Sequence, residues 1–251
     1  MRSSGIPIGN LVERIKQKHI SVMQTDIFIW VHHREGVIED ATFGLAAEAD
    51  AIISARGGKG AITAIALGKY FEDPLDQLGL YGVNRVFHFK GSAAEPYHGE
   101  YCAETLAEFM ETEKPFAFLM AHTDQTADLG PRLAALKGAG VVTRAIDLGK
   151  VEAGQVTVTR PIANGHLSEK VCFGCPPPYL VTFLPAVLSA TEPEGEDKAG
   201  VIVRELPEMS TRNLQTEIVD VIEASPGDVD IAEADIVVAG GRGVGRDERF
   251  E

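Results

Sequence analysis

Apolar residues arrive along this chain in short runs separated by polar, glycine-containing breaks, and the runs alternate between strand-like and helix-like spacing. Asp26-Ile27-Phe28-Ile29-Trp30-Val31 is a nearly continuous apolar run of the kind a strand buried on both faces requires. Residues 32–36 read as a turn and Val37-Ile38-Glu39 as its outward continuation. The alanine-rich stretch 41–56 has Phe43, Leu45, Ala46 and Ala49 spaced for one helix face. A strand follows over 60–67, a helix over 75–81 ended by Gly82, a strand over 85–89, an amphipathic helix over 100–111 and a strand over 116–121. This alternation predicts an α/β fold with a mostly parallel sheet and helices on both faces.

The second half is less regular. It suggests a helix over 128–136, short strands at 141–143 and 179–183, and β-like alternation over 151–159. Residues 191–198 are polar and rich in chain breakers, as in a loop or linker. Two β-like segments, 201–206 and 217–222, precede Pro226-Gly227. A last apolar run, Ile236 to Ala239, then opens onto Gly240-Gly241-Arg242-Gly243, which reads as the first strand of a second domain and its turn. The expected organisation is an N-terminal arm over 1–24 and an α/β domain over 25–190. An acidic linker over 191–200, returning strands and a connector over 201–232, and the opening of a further domain over 233–251 complete it. In the arm, Asn10 is placed to cap a short helix with Leu11, Val12 and Ile15 on one face.

Composition narrows the function classes. A formal net charge of -14 without a basic cluster argues against nucleic acid, whose phosphates demand Lys and Arg. Half of that charge lies beyond position 200, where 12 acidic residues face 5 basic ones. Such an excess reads as a solvated acidic surface or as a face for a basic partner. No run of eighteen apolar residues and no signal-type segment occurs, so no membrane insertion and a cytoplasmic location are expected. Cys172-Phe173-Gly174-Cys175 has the spacing of a redox pair or half a zinc site. No second ligand pair follows it, and Pro176-Pro177-Pro178 forbid the helix a redox pair usually heads. With Cys102, these read as ordinary cysteines, and no metal ligand set is expected.

Other chemistry is excluded by spacing. Gly57-Gly58-Lys59-Gly60 fails as a phosphate loop because glycine follows the lysine, and there is no nucleophile elbow and no His-Glu-x-x-His. His32 and His33, as neighbours on extended chain, point to opposite faces and cannot share one site; they read as surface or turn residues. His122, with Thr123 and Asp124 past the strand at 116–121, is either a plain loop residue or a contact for a small molecule at the sheet's carboxyl edge. No catalytic residues are expected. Arg242 is the candidate cofactor contact, since a guanidinium at a strand's carboxyl end can hold an anion bidentately.

The order of these segments resembles the electron transfer flavoprotein alpha subunit. The matching pieces are the strand and turn from Ile27 to Glu39, Gly130-Pro131-Arg132-Leu133-Ala134-Ala135, and Thr159-Arg160-Pro161-Ile162-Ala163-Asn164-Gly165. The most specific is Glu233-Ala234-Asp235-Ile236-Val237-Val238-Ala239-Gly240-Gly241-Arg242-Gly243. The resemblance covers roughly residues 25–251. It implies an N-terminal domain like those of adenine-nucleotide-binding α/β proteins (alpha-hydrolase-like, Rossmann-like) but without a nucleotide, packed against a beta-type subunit. It also implies a following flavodoxin-like domain that holds FAD, with Arg242, flanked by Gly241 and Gly243, touching the cofactor. The family's remaining flavin contacts lie further downstream, so the FAD site within these 251 residues is expected to be incomplete.

The implied role is a subunit that carries electrons from flavin dehydrogenases to an acceptor, with no substrate converted in this chain. Two alternatives stay open. A universal-stress-type nucleotide module would need a phosphate loop near Gly138-Ala139-Gly140, and a non-redox structural subunit would dock through its arm.

Overall fold

The computed structural model describes residues 25–91, 96–149, 156–189, 198–209, 214–220 and 236–241. The chain divides into two units, Met1–Glu217 and Ile218–Glu251. The first unit is built on seven strands, all paired in parallel, in the order β12 (Gly200–Glu205), β5 (Arg85–Lys90), β4 (Ile62–Leu67), β1 (Ile27–Trp30), β6 (Ala117–Ala121), β11 (Tyr179–Phe183), β7 (Gly140–Ala145). Strand β1 (Ile27–Trp30) lies at its centre, between β4 (Ile62–Leu67) and β6 (Ala117–Ala121).

Strand periodicity divides the core in two. Ile27 and Ile29 of β1, with Leu119 of β6, face one layer, in which helix α1 (Asp40–Ala55) buries Leu45, Ala46, Ala49, Ile52 and Ile53. Phe28, Trp30, Phe118 and Met120 face the other, against Tyr101, Leu106 and Phe109 of α2 (Gly99–Glu113) and Leu129 and Leu133 of α3 (Asp124–Lys137). Both faces of the central strands are covered, which is why their sequences show no polar alternation. The expected α/β architecture with helices on both faces is the one observed.

The remaining elements sort by how strong their sequence signal was. The segment expected as a helix at 75–81 is a 3-10 helix, Leu75–Tyr81, closed by Gly82 in the left-handed region. Helix α3 starts four residues earlier than its apolar spacing suggested. Thr123 accepts a hydrogen bond from the Thr126 N–H, and the Thr126 hydroxyl accepts one from the Thr123 N–H, a capping box with threonine in the place usually held by Glu or Gln.

Strand β5 (Arg85–Lys90) continues the sheet outward from β4. Strand β7 (Gly140–Ala145) is followed by an antiparallel sheet of β8 (Asp147–Leu148), β9 (Thr157–Ile162) and β10 (Leu167–Cys172). The chain then re-enters the main sheet as β11 (Tyr179–Phe183), between β6 and β7. Cys172 ends exposed on β10 and Cys175 half-buried beyond it, both as free thiols.

Strand β12 (Gly200–Glu205) adds to β5 at the sheet edge, close to the expected 201–206. The strands expected over 217–222 and 236–239 do not form in the described parts, 217–220 and 236–241. A strand exists only as a ladder with a neighbour, and no described segment pairs with either. Ile236 and Val238 are accordingly 84% and 80% exposed.

Between β12 and residue 217 the first unit ties down its own end. Leu206, Met209 and Leu214 pack on the second core layer, and the Tyr101 hydroxyl donates to the Pro207 carbonyl. The Glu100 carboxylate accepts hydrogen bonds from the Gln215 N–H (2.9 Å), the Thr216 N–H (3.1 Å) and the Thr216 hydroxyl (2.9 Å), while His98 Nε2 donates to the Thr216 carbonyl (3.0 Å). Desolvation opposes ionisation of Glu100, but those donors hold its carboxyl below the usual carboxylate range.

One helical glycine gives a prediction of unusual sign. A Cβ at Gly44, in the middle of α1, would lie 2.9 Å from the backbone of Leu188. Gly→Ala inside a helix ordinarily stabilises by about 1 kcal/mol. Gly44→Ala is instead expected to destabilise by roughly 1 to 3 kcal/mol, because the helix must back away from its neighbour. Urea unfolding measures this, and a stabilised variant would contradict the packing described.

Candidate functional site: the carboxyl edge of the parallel sheet

From β1 the chain builds outward through β4 and β5, then crosses back to place β6 on the other side of β1. The order therefore reverses between β1 and β6, and the crevice at the carboxyl ends of those strands is where open α/β sheets usually hold ligands. Here a side chain occupies it. His32, directly after β1, is 4% exposed, and its Nε2 accepts the Ala121 N–H at the end of β6 (2.9 Å). Its own N–H donates to the Thr42 hydroxyl (2.9 Å), which donates back to the His32 carbonyl (3.1 Å).

Burial, reinforced by neighbouring His33, pushes the His32 imidazole down to about 3. It is therefore neutral at ordinary pH, with its hydrogen on Nδ1 so that Nε2 can accept. The ends of β1 and β6 are thus linked by an uncharged ring.

His33 turns the other way. Its Nε2 donates to the Leu67 carbonyl (2.9 Å) at the end of β4, and its Nδ1 accepts the Gly36 N–H (3.3 Å). This fastens the small hairpin of β2 (His33–Arg34) and β3 (Val37–Ile38) over the sheet edge. Phe71 packs between His33 and His88, with ring centres 4.5 and 5.1 Å away, and His88 Nε2 donates to the Gly68 carbonyl (2.9 Å). The opposite orientation of the two adjacent histidines follows the sequence reading. The surface assignment of His32 is corrected: it is among the most buried polar residues described. Sequence alone gave no sign of this, because what buries the ring is a backbone donor 89 positions away.

The weaker phosphate-loop candidates lie at the wrong edge. Gly138 is the left-handed cap of α3, and Gly140 opens β7 at its amino end. Residues 57–60 likewise lie between α1 and the start of β4. His122 does reach the carboxyl edge, where its Nδ1 meets the Thr182 hydroxyl at 2.9 Å. Among the described residues no group of His, Cys, Asp and Glu is arranged to hold a metal ion, and no helix is long and apolar enough to cross a membrane.

Of the three residues expected to touch a cofactor, Gly241 is described, exposed, with open space where a Cβ would stand. Arg242 and Gly243 lie outside the described residues.

The frame is that of a parallel α/β domain, with a buried neutral histidine bridging the strand ends at its switch point. The electron transfer flavoprotein domain matches residues 27–209, and the chain belongs to that family. It is similar to the electron transfer flavoprotein subunit alpha of Bacillus subtilis, 30% identical over 87% of this chain and 64% of the relative. It is also similar to that of Megasphaera elsdenii, at 28% over 90% of this chain and 66% of the relative. The Acetobacterium woodii protein named lactate dehydrogenase (NAD(+),ferredoxin) subunit LctC matches at 28% over 87% of this chain and 51% of its own length. The chain thus spans just under two thirds of the length of the alpha subunits it matches.

Proposed function

We propose that this chain acts as the alpha-type subunit of an electron transfer flavoprotein, pairing with a beta-type subunit and carrying electrons from flavin dehydrogenases to an acceptor through FAD. The supporting observation is the family match over 27–209. The Gly240-Gly241-Arg242-Gly243 turn is the strongest cofactor-binding signal in the sequence.

In this reading FAD supplies the redox chemistry, and the protein orients and tunes it. Arg242 holds an anionic part of the cofactor, and Gly241 and Gly243 let the backbone approach. The subunit is a carrier rather than a substrate-converting enzyme, and it works in the cytoplasm with dehydrogenase partners.

Co-expression with a beta-type subunit tests this. The expected result is a stable two-chain complex. Failure to form one, or ATP or AMP bound to this chain by itself, would overturn the reading.

A further inference from the structure

The register between β7 and β11 breaks next to His122. Pairing runs from Val181↔Val142 to Phe183↔Ala145, so Thr143 and Arg144 together stand opposite Thr182 alone. This is a β-bulge, and such bulges re-aim side chains, often beside functional sites. Arg144 takes a left-handed backbone, φ +60°, which costs a non-glycine residue energy that the surroundings must offset.

Thr182 is the pin that holds this arrangement. Fully buried, its hydroxyl accepts the Arg144 N–H (3.1 Å) and lies 2.9 Å from His122 Nδ1. The Arg144 N–H can only donate, so among the described residues His122 Nδ1 is the partner left to accept the hydrogen of this buried hydroxyl. His122 then carries its own hydrogen on Nε2. The His122 backbone is fixed as well, its N–H donating to the Phe183 carbonyl (2.6 Å).

Two donors result at the carboxyl ends of β6 and β7: the Nε2–H of a half-buried imidazole, without a partner among the described residues, and the guanidinium of exposed Arg144. Arg144 makes no ion pair among the described residues, in a chain with 37 acidic residues. We propose that His122 and Arg144, pinned by Thr182, form a receptor for a small oxyanion of the phosphate type. With one imidazole donor and one guanidinium, the receptor matches the anion itself or a compact phosphate ester. Desolvation and the Arg144 charge hold the imidazole below its ordinary value, while Asp124, the first residue of α3, pulls it the other way. An anion seated beside His122 adds to the pull of Asp124 and raises its titration midpoint.

The test is NMR titration of the imidazole signals of the full chain, with His122 identified from the spectrum of His122→Gln. Inorganic phosphate is compared with sodium chloride at equal ionic strength. Phosphate is expected to raise the His122 midpoint in the wild type and not in Arg144→Gly or Arg144→Gln, with apparent affinity falling about tenfold or more. Arg144→Gly is also expected to melt no lower than the wild type, since glycine relieves the left-handed strain. Arg144→Gln keeps the side-chain bulk while removing the charge, and so covers a failure of the glycine variant to fold. No phosphate-dependent shift in the wild type, or a shift that survives both substitutions, would overturn the proposal.

Discussion

Replacing His32 with alanine is expected to remove about 3 to 4 kcal/mol of stability near neutral pH. The loss has two sources. The Ala121 N–H, buried at the end of β6, is left without its acceptor, which costs roughly 1 to 3 kcal/mol. The space of a fully packed ring is left behind as well, adding a cavity of the kind that costs a few kcal/mol in cores.

The pH dependence gives a sharper signature. Folded His32 titrates at about 3 against 6.5 for the free side chain, so the unfolded chain takes up a proton the folded one refuses. Stability is therefore unaffected by this group above about pH 6.5. It falls by up to about 1.4 kcal/mol per unit as the pH drops below that, until the folded value is passed. The alanine variant lacks this penalty. The gap between the wild type and His32→Ala should thus narrow steadily on acidification and nearly close around pH 4. Denaturant unfolding at several pH values measures it, and a gap of constant size would show that His32 is not the neutral, buried bridge described.

The second large effect concerns the cofactor. In the assembled flavoprotein, Arg242→Ala is expected to weaken FAD binding about 10- to 100-fold, the worth of a charge-assisted hydrogen bond of roughly 1.5 to 3 kcal/mol. Arg242→Lys should recover part of this, because lysine keeps the charge but loses the planar, two-pronged geometry. Removing the cation should also lower the flavin reduction potential, since negative charge added on reduction would be less stabilised. Fluorescence titration of FAD and a spectroelectrochemical potential report the two effects. An affinity and a potential both unchanged in Arg242→Ala would remove this residue from the cofactor site.

The elements that carried their own signal were legible from sequence. The β1 run from Ile27 to Trp30 and the β6 run from Ala117 to Ala121 are apolar on both faces because helices cover both faces. Gly82 stops its helix because it takes the left-handed conformation a cap needs.

What escaped was decided by partners distant in sequence. Strand β10, Leu-Ser-Glu-Lys-Val-Cys, is largely exposed and polar, and only its ladder with β9 makes it a strand. The insertion of β11 between β6 and β7 is a matter of topology that an apolar run cannot encode. The converse holds for Ile236–Val238, whose β-branched pattern is strong but which has no described neighbour to pair with. The site divides in the same way. The Gly-Gly-Arg-Gly turn is written in the sequence, whereas the burial of His32 and the Thr182 pin between His122 and Arg144 appear only when the strand ends come together.

The most direct measurement is the distance between the Arg242 guanidinium and FAD in an experimental structure of the assembled, flavin-loaded complex. Hydrogen-bond contact is expected there, about 2.7 to 3.2 Å from nitrogen to a cofactor oxygen or ring atom. A loaded flavin with only solvent beside that guanidinium would contradict it.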